Sequence, residues 1–147
     1  MKESTEENGA GEPTDTATGY PTVLVIDDSE IALAQMARIL QNAGMRVVDL
    51  ASPIGATRAI TTHAVDVVVI DFLMPGMRGD RLAALFRGNP RFKNLGVVIV
   101  SGESSDDFER LSKEAGADAI VRKTELAKLV PAIRAALRAH AGRPGHG

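Results

Sequence analysis

Short apolar runs alternate with amphipathic stretches along most of this chain. The apolar runs are Val23–Ile26, Arg46–Leu50, Val67–Ile70, Val97–Val100 and Ala119–Val121. Three of them, the first, third and fourth, are unbroken aliphatic segments, a pattern typical of strands buried on both faces of a parallel sheet. The runs therefore predict five β-strands, of which at least three lie in the interior of one sheet.

The stretches between these runs carry apolar residues at helical spacing. Their stripes are Leu33, Met36, Ala37 and Leu40; Leu82, Leu85 and Phe86; Phe108, Leu111 and Ala115; and Leu126, Leu129, Val130, Ile133 and Leu137. A further helix near Pro53–Thr62 is less periodic, but Ser52 as its cap and Pro53 at its first position predict where it begins. Five strands that alternate with five helices predict a three-layer α/β sandwich around a parallel sheet.

Composition and charge bound the class of protein. The chain has 147 residues, suited to one domain, with no cysteine for disulfides or thiolate metal sites and a net charge of −2 that demands no nucleic acid or anionic membrane. Its polar, acidic start is unlike a signal peptide, and we expect a cytoplasmic protein. We expect residues 1–19 to be a disordered acidic tail, 20–140 the folded domain and 141–147 a flexible C-terminal tail.

Several polar residues follow the predicted strands, at the edge where open parallel sheets bind ligands. Asp27 and Asp28 follow the first strand, Asp71 the third, Ser101 the fourth and Lys123 the fifth. Taken singly, an aspartate here is often a helix cap or turn residue, a Ser-Gly pair is often a turn, and a lysine is often a solvated surface charge. Their convergence at one edge is what calls for a functional explanation.

Three carboxylates at one edge need a compensating cation, because each pair about 4 Å apart costs on the order of 4 kcal/mol at an effective dielectric near 20. Oxygen ligands without nearby histidine or cysteine favour a hard ion, and Mg²⁺ is the abundant one. A carboxylate can also attack phosphorus and form an acyl phosphate. Asp71 is the best candidate nucleophile, because it ends the most central apolar run and precedes a loop stiffened by Pro75.

Across about residues 21–139 the sequence resembles the receiver domain of two-component response regulators. The matching motifs are Val-Leu-Val-Ile-Asp27-Asp28-Ser, Val-Val-Val-Ile-Asp71-Phe-Leu-Met-Pro-Gly-Met, Val-Ile-Val-Ser101-Gly and Ala-Gly-Ala-Asp-Ala-Ile-Val-Arg-Lys123. The resemblance implies a flavodoxin-like (βα)5 fold with strand order 2-1-3-4-5.

The resemblance also implies roles for these residues. Asp71 would accept a phosphoryl group from the phosphohistidine of a histidine kinase or phosphotransfer protein. Asp28, Asp71 and the backbone carbonyl of Leu73 would bind Mg²⁺ directly, while Asp27 would act largely through water. Ser101 and Lys123 would bind the phosphoryl oxygens. A downstream protein would dock through helices 1, 4 and 5, with the receiver a monomer or a weak homodimer.

Three positions depart from the family pattern. Ile120 stands where the family usually has a Tyr or Phe that changes rotamer on phosphorylation, and so an aromatic switch is unavailable. Thr124 stands where the family usually has a proline after a cis bond, and we expect a trans bond or a rearranged loop because a cis bond before Thr costs roughly 2.5–4 kcal/mol. Leu73 stands where a polar side chain often orients attacking water, which suggests slow self-dephosphorylation unless the residue is kinetically neutral.

We therefore expect a stand-alone receiver that signals by protein contact and is not a metabolic enzyme. A degenerate receiver that acts as a phosphorylation-independent adaptor is the main alternative, with Ile120 and Thr124 in its favour. A Mg²⁺-dependent phosphohydrolase would need a second acid where Leu73 stands. A nucleotide-binding protein would need a glycine-rich turn after the first strand, where the chain has Asp27-Asp28-Ser29.

Overall fold

The fold is a five-stranded parallel sheet between two layers of helices, in a computed structural model that describes residues 20–102 and 106–141. The strands are β1 (Thr22–Ile26), β2 (Arg46–Leu50), β3 (Val67–Asp71), β4 (Gly96–Ser101) and β5 (Ala119–Arg122). The helices are α1 (Glu30–Asn42), α2 (Ala56–Thr62), α3 (Gly79–Arg87), α4 (Asp106–Glu114) and α5 (Leu129–His140). Short 3₁₀ turns cover Pro90–Phe92 and Lys123–Lys128.

The strand order is β2-β1-β3-β4-β5, all parallel, which confirms the predicted architecture and the order 2-1-3-4-5. Asp71 ends the central strand, β3, as the sequence predicted. The predicted tail at 1–19, and all but the first residue of the predicted tail at 141–147, lie outside the described residues. In the described part of the chain, no helix has the length and apolar character needed to cross a bilayer.

Two hydrophobic cores form because alternate strand residues face opposite layers. On β1, Val23 and Val25 pack with α1 and α5, whereas Leu24 and Ile26 pack with α2, α3 and α4. Phe86 and Phe108 are the largest side chains of the second core that are almost completely buried. The two cores hold the sheet rigidly between them, so its carboxyl edge is a fixed platform for polar side chains.

Local sequence explains how α1 begins and ends. Ser29 caps it, because the Ser29 side chain accepts a hydrogen bond from the Ala32 N–H at 3.2 Å. Gly44 follows the helix with φ of +85°, a conformation that glycine adopts without strain. The Met45 N–H then donates to the Leu40 carbonyl at 3.0 Å and closes the turn into β2.

The predicted start of α2 is wrong. The Ser52 hydroxyl accepts from the Ile54 N–H at 3.2 Å, which makes a local turn instead of a helix cap. The Ala56 N–H donates to the Pro53 carbonyl at 3.1 Å, and the helix begins only at Ala56. A serine followed by proline favours turns as well as helix starts, and here the turn prevails.

Two apolar stripes also differ from their predictions. Leu85 is 59% exposed, and α3 instead buries Leu82, Ala83 and Phe86. Leu126 lies in the 3₁₀ turn that precedes α5, so that helix begins at Leu129 instead. In a nine-residue helix the buried stripe is narrow, and a leucine at its margin faces solvent.

Candidate functional site

Three carboxylates meet at the carboxyl edge of the sheet. Asp27 directly follows β1, Asp71 ends the neighbouring strand β3, and Asp28 follows Asp27. Asp27 is fully buried, Asp71 is 4% exposed and Asp28 is exposed. One oxygen of each lies within 4.8 Å of the other two, and among the described residues this is the one group of acids or histidines so placed. The predicted convergence of these three residues is confirmed.

Backbone contacts fix Asp27 in this buried position. Its N–H donates to the Leu50 carbonyl at 3.1 Å, which continues the pairing of β1 with β2 by one residue. Its Oδ1 atom accepts the Ser29 N–H at 2.9 Å. Through Oδ1, Asp27 therefore acts as a turn residue, as a single aspartate after a strand often does. Its other oxygen, Oδ2, faces the remaining charges of the site.

Lys123 supplies the positive charge of the site. Its Nζ atom lies 2.6 Å from Asp27 Oδ2 and 3.2 Å from Asp71 Oδ1, and its side chain is 23% exposed. Burial alone would lower the pKa of Lys123, but its hydrogen bonds and charge pairing with Asp27 and Asp71 outweigh burial and raise that pKa above the ordinary value. Lys123 is thus a fixed ammonium, not a solvated surface charge.

The charges of this edge do not balance. Burial, with the negative charge of Asp27, raises the pKa of Asp71 from 3.8 to about 6, and Lys123 offsets only part of this effect. Three carboxylates face one ammonium, and the atoms that these carboxylates can offer to a metal ion are all oxygens. That donor set suits a hard divalent cation, whose positive charge would offset the repulsion among the three carboxylates.

The other predicted site residues lie around these acids. Ser101 ends β4, is 1% exposed, and follows Val100, the residue paired with Asp71 across the two strands. Leu73 is 45% exposed in the loop after Asp71. Ile120 is half-buried and packs against the core below α4, and the Lys123–Thr124 peptide bond is trans, as expected, within the 3₁₀ turn. The roles that the resemblance implies for Leu73, Ser101 and Ile120 stay predictions.

The sequence did not reveal how closely α3 approaches the candidate acceptor. A Cβ atom on Gly79 would lie 2.2 Å from the Asp71 carbonyl oxygen, so only glycine allows this approach. The Gly79 N–H donates to the Phe72 carbonyl at 2.8 Å. Between these two residues, the β3–α3 loop is closed at its base, and it carries the Leu73 carbonyl.

A second charged cluster, also unpredicted, lies at the opposite edge of the sheet. Asp118 Oδ2 accepts from Arg87 Nη2 at 2.8 Å and the Val97 N–H at 2.8 Å, and it lies 3.0 Å from His140 Nε2. Arg87 also donates to the carbonyls of Leu95 and Gly116. We call Arg87, Asp118 and His140 the basal cluster. It joins α3, α5 and the start of β4, and its charges are paired.

The fold and the acidic edge define the class of this protein: the chain belongs to the response regulator receiver domain family, whose model matches residues 23–134. The chain is similar to the transcriptional regulatory protein PrrA of Mycobacterium tuberculosis, with 34% identity over 125 residues. That match covers 84% of this chain and 53% of PrrA, so this chain spans about half the length of that relative.

Solved structures agree with the family. A two-component response regulator of the LuxR family from Aurantimonas has a TM-score of 0.74 and 27% identity, covering 82% of this chain and 87% of that one. The chemotaxis protein CheY4 of Vibrio cholerae has the same fold, with a TM-score of 0.71 and 24% identity, covering 78% of this chain and 97% of that one.

Proposed function

We propose that this chain is a cytoplasmic receiver that accepts a phosphoryl group on Asp71 and signals through protein contact, and that it is not a metabolic enzyme. The donor would be the phosphohistidine of a histidine kinase or a phosphotransfer protein. One observation carries the proposal: the Lys123 ammonium lies 3.2 Å from Asp71 within a cluster of three carboxylates that it cannot neutralise. Such a site attracts a cation and then an anionic group.

The chemistry follows from these positions. A carboxylate oxygen of Asp71 attacks phosphorus while the bond from phosphorus to the histidine nitrogen breaks, which leaves an acyl phosphate on Asp71 and a histidine that takes up a proton. Lys123 can pair with the phosphoryl oxygens, because its Nζ atom already lies beside Asp71. Ser101, at the end of the adjacent strand, would donate its hydroxyl to them.

The donor set fits Mg²⁺. Asp28, Asp71 and the Leu73 carbonyl would hold it directly, and Asp27, whose Oδ2 is committed to Lys123, would contribute through water. When bound, Mg²⁺ would neutralise the phosphoryl oxygens during transfer.

A groove beside the site suits the donor protein. It runs between α1 and the segment after β5, and it is lined by Ile31, Ala34, Gln35, Arg38, Ile39, Lys123 and Leu126. Ile31 is 74% exposed, and Lys123 belongs to both the groove and the acidic site. A helix that covers Ile31 would therefore bring its histidine next to Asp71.

Reaction with acetyl phosphate and Mg²⁺, followed by intact-mass measurement, tests the chemistry. We expect one phosphoryl group on the wild-type chain and none on Asp71→Asn, while Asp118→Asn, a change in the basal cluster, keeps the modification. A beryllofluoride titration with Mg²⁺, followed by amide chemical shifts, should give saturable changes around Asp71. Absence of both responses in the wild type would contradict the proposal.

An adaptor that ignores phosphorylation is the second candidate, and one observation favours it. Ile120 packs into the core where the family usually has a mobile aromatic ring. The same two measurements separate the candidates, because an adaptor would respond to neither acetyl phosphate nor beryllofluoride.

The docking step has its own test, a phosphotransfer screen against candidate histidine kinases. Ile31→Glu should slow transfer from a cognate kinase at least tenfold and leave the reaction with acetyl phosphate unchanged. Leu85→Glu is the matched control, since Leu85 is also an exposed aliphatic residue but lies on α3. If the kinase transferred its phosphoryl group to Ile31→Glu as fast as to Leu85→Glu, the donor would dock elsewhere.

A further inference from the structure

The loop between Asp71 and α3 is closed by a side chain as well as by its backbone. Arg78, the last loop residue, places Nε 2.6 Å from Asp80 Oδ1 and Nη2 3.1 Å from Asp80 Oδ2. Its guanidinium carbon lies 5.7 Å from the centre of the Phe72 ring, within the range of a cation–π contact. One residue thus joins the first residue of the loop, Phe72, to the first turn of α3.

Neither partner is a casual surface contact. Asp80 is 6% exposed, and a carboxylate this buried needs a partner with matching geometry, which the forked guanidinium supplies. Phe72 is 5% exposed, and its ring also contacts the ring of Phe108 on α4, at 5.3 Å. Arg78 occupies the N-cap position of α3 but its side chain makes no capping hydrogen bond, and a cation at a helix N-terminus is unfavourable. The pairing with Asp80 compensates for that placement.

We propose that Arg78 is a positioning residue for the divalent cation: it holds the loop from Phe72 to Arg78 closed, and with it the Leu73 carbonyl beside Asp71. This inference rests on the proposed function, because the Leu73 carbonyl matters only if the site binds Mg²⁺. Arg78 does not touch the cation. It sets the affinity of the site by limiting the conformations of the loop, so that less entropy is lost on binding.

Mg²⁺ titrations of the unphosphorylated protein, by calorimetry and by amide chemical shifts, test the proposal. We expect Arg78→Met to weaken Mg²⁺ binding about five- to tenfold and Arg78→Lys to weaken it by a similar factor, because lysine keeps the charge but not the fork. Arg81→Met is the matched control, an exposed arginine three residues further along α3, and should bind Mg²⁺ as the wild type does. Asp80→Asn should reproduce the loss, and the double variant Arg78→Met/Asp80→Asn should be no weaker than either single one.

Two further readouts distinguish positioning from a general loss of stability. In acetyl phosphate reactions, Arg78→Lys should raise the Mg²⁺ concentration for half-maximal rate and keep the maximal rate, whereas partial unfolding would lower the maximal rate alone. The Gly79 amide, which donates to the Phe72 carbonyl, should exchange faster in Arg78→Lys than in Arg81→Met. This measurement needs only a folded, metal-free protein.

Wild-type affinity in Arg78→Lys, with unchanged Gly79 exchange, would overturn the role of Arg78 and leave the proposed function intact. A wild-type chain that binds no Mg²⁺ would overturn both.

Discussion

The two edges of the sheet treat charge in opposite ways. At the carboxyl edge, Asp27, Asp28 and Asp71 share one ammonium, and the pKa of Asp71 rises to about 6. At the opposite edge, Asp118 accepts hydrogen bonds from a guanidinium and a backbone N–H, and His140 lies beside it. The charges of the basal cluster are paired, whereas the acidic edge carries more negative than positive charge in the absence of a cation. Unbalanced charge at a precise location is thus the better indicator of function.

The largest effect on stability should come from a substitution in the basal cluster. Arg87→Met leaves Asp118 without its strongest donor and two carbonyls without theirs, and we expect a loss of about 2–4 kcal/mol in the free energy of unfolding. Urea unfolding measures this loss, with Arg81→Met as the exposed control that should change stability by under about 0.5 kcal/mol. A loss as small as that of the control would mean that the basal cluster contributes no net stability.

At the acidic edge, we expect the removal of a charge to stabilise the folded protein instead of destabilising it. Because the pKa of Asp71 is raised to about 6, the folded state binds its proton more tightly than the unfolded state, so stability falls as pH rises from about 4 through 6. Asp71→Asn should therefore stabilise the metal-free protein at pH 7.5, by about 1–3 kcal/mol, and this gain should disappear towards pH 4.

Thermal unfolding across this pH range checks the sign. Asp118→Asn is the comparison, since it should destabilise the protein at pH 7.5. If both variants moved stability in the same direction, the contrast between the two edges would be wrong.

Mg²⁺ should bind at the acidic edge and stabilise the folded protein. A ligand that binds only the folded state at ten times its dissociation constant stabilises by about 1.4 kcal/mol, so Mg²⁺ should raise the unfolding temperature. Asp28→Asn should remove most of this effect, because Asp28 is a proposed ligand that lies exposed at the surface. Asp118→Asn should retain it, and Ca²⁺ serves to test whether the response is specific to the smaller ion.

The smallest expected effect concerns the loop residue Leu73. If an apolar side chain there fails to place the attacking water, Leu73→Asn should speed loss of phosphate a few-fold, an effect of about 1 kcal/mol on the barrier. Phosphate release over time from the two acetyl phosphate-labelled proteins measures the ratio. Equal rates would show that Leu73 is kinetically neutral.

The sequence was sufficient to predict the features of the fold and site that depend on hydrophobic periodicity and on where the strands end. Unbroken aliphatic runs identified the strands, and the position of polar residues after β1, β3 and β5 was enough to predict that Asp27, Asp71 and Lys123 meet. These inferences succeed because all strands are parallel, so that every strand end lies at the same edge.

Side-chain partners remote in sequence could not be predicted in this way. Asp118 is 31 residues from Arg87 and 22 from His140, and no periodicity links them. The contact of Arg78 with Phe72 depends on how the loop folds back, and the start of α2 depended on a competition between two local hydrogen-bonding arrangements. Each of these is decided by tertiary geometry, not by the local pattern.

The place of Asp71 on the central strand limits how a signal can leave the site. β3 is hydrogen-bonded on both sides and buried on both faces, so its amides should exchange only when the whole domain unfolds. A strand so constrained would give a phosphorylated Asp71 a stationary base. If the domain signals as proposed, the change of shape that a partner recognises must arise in the segments around the carboxyl edge. Hydrogen exchange with and without beryllofluoride should then differ there while β3 stays unchanged.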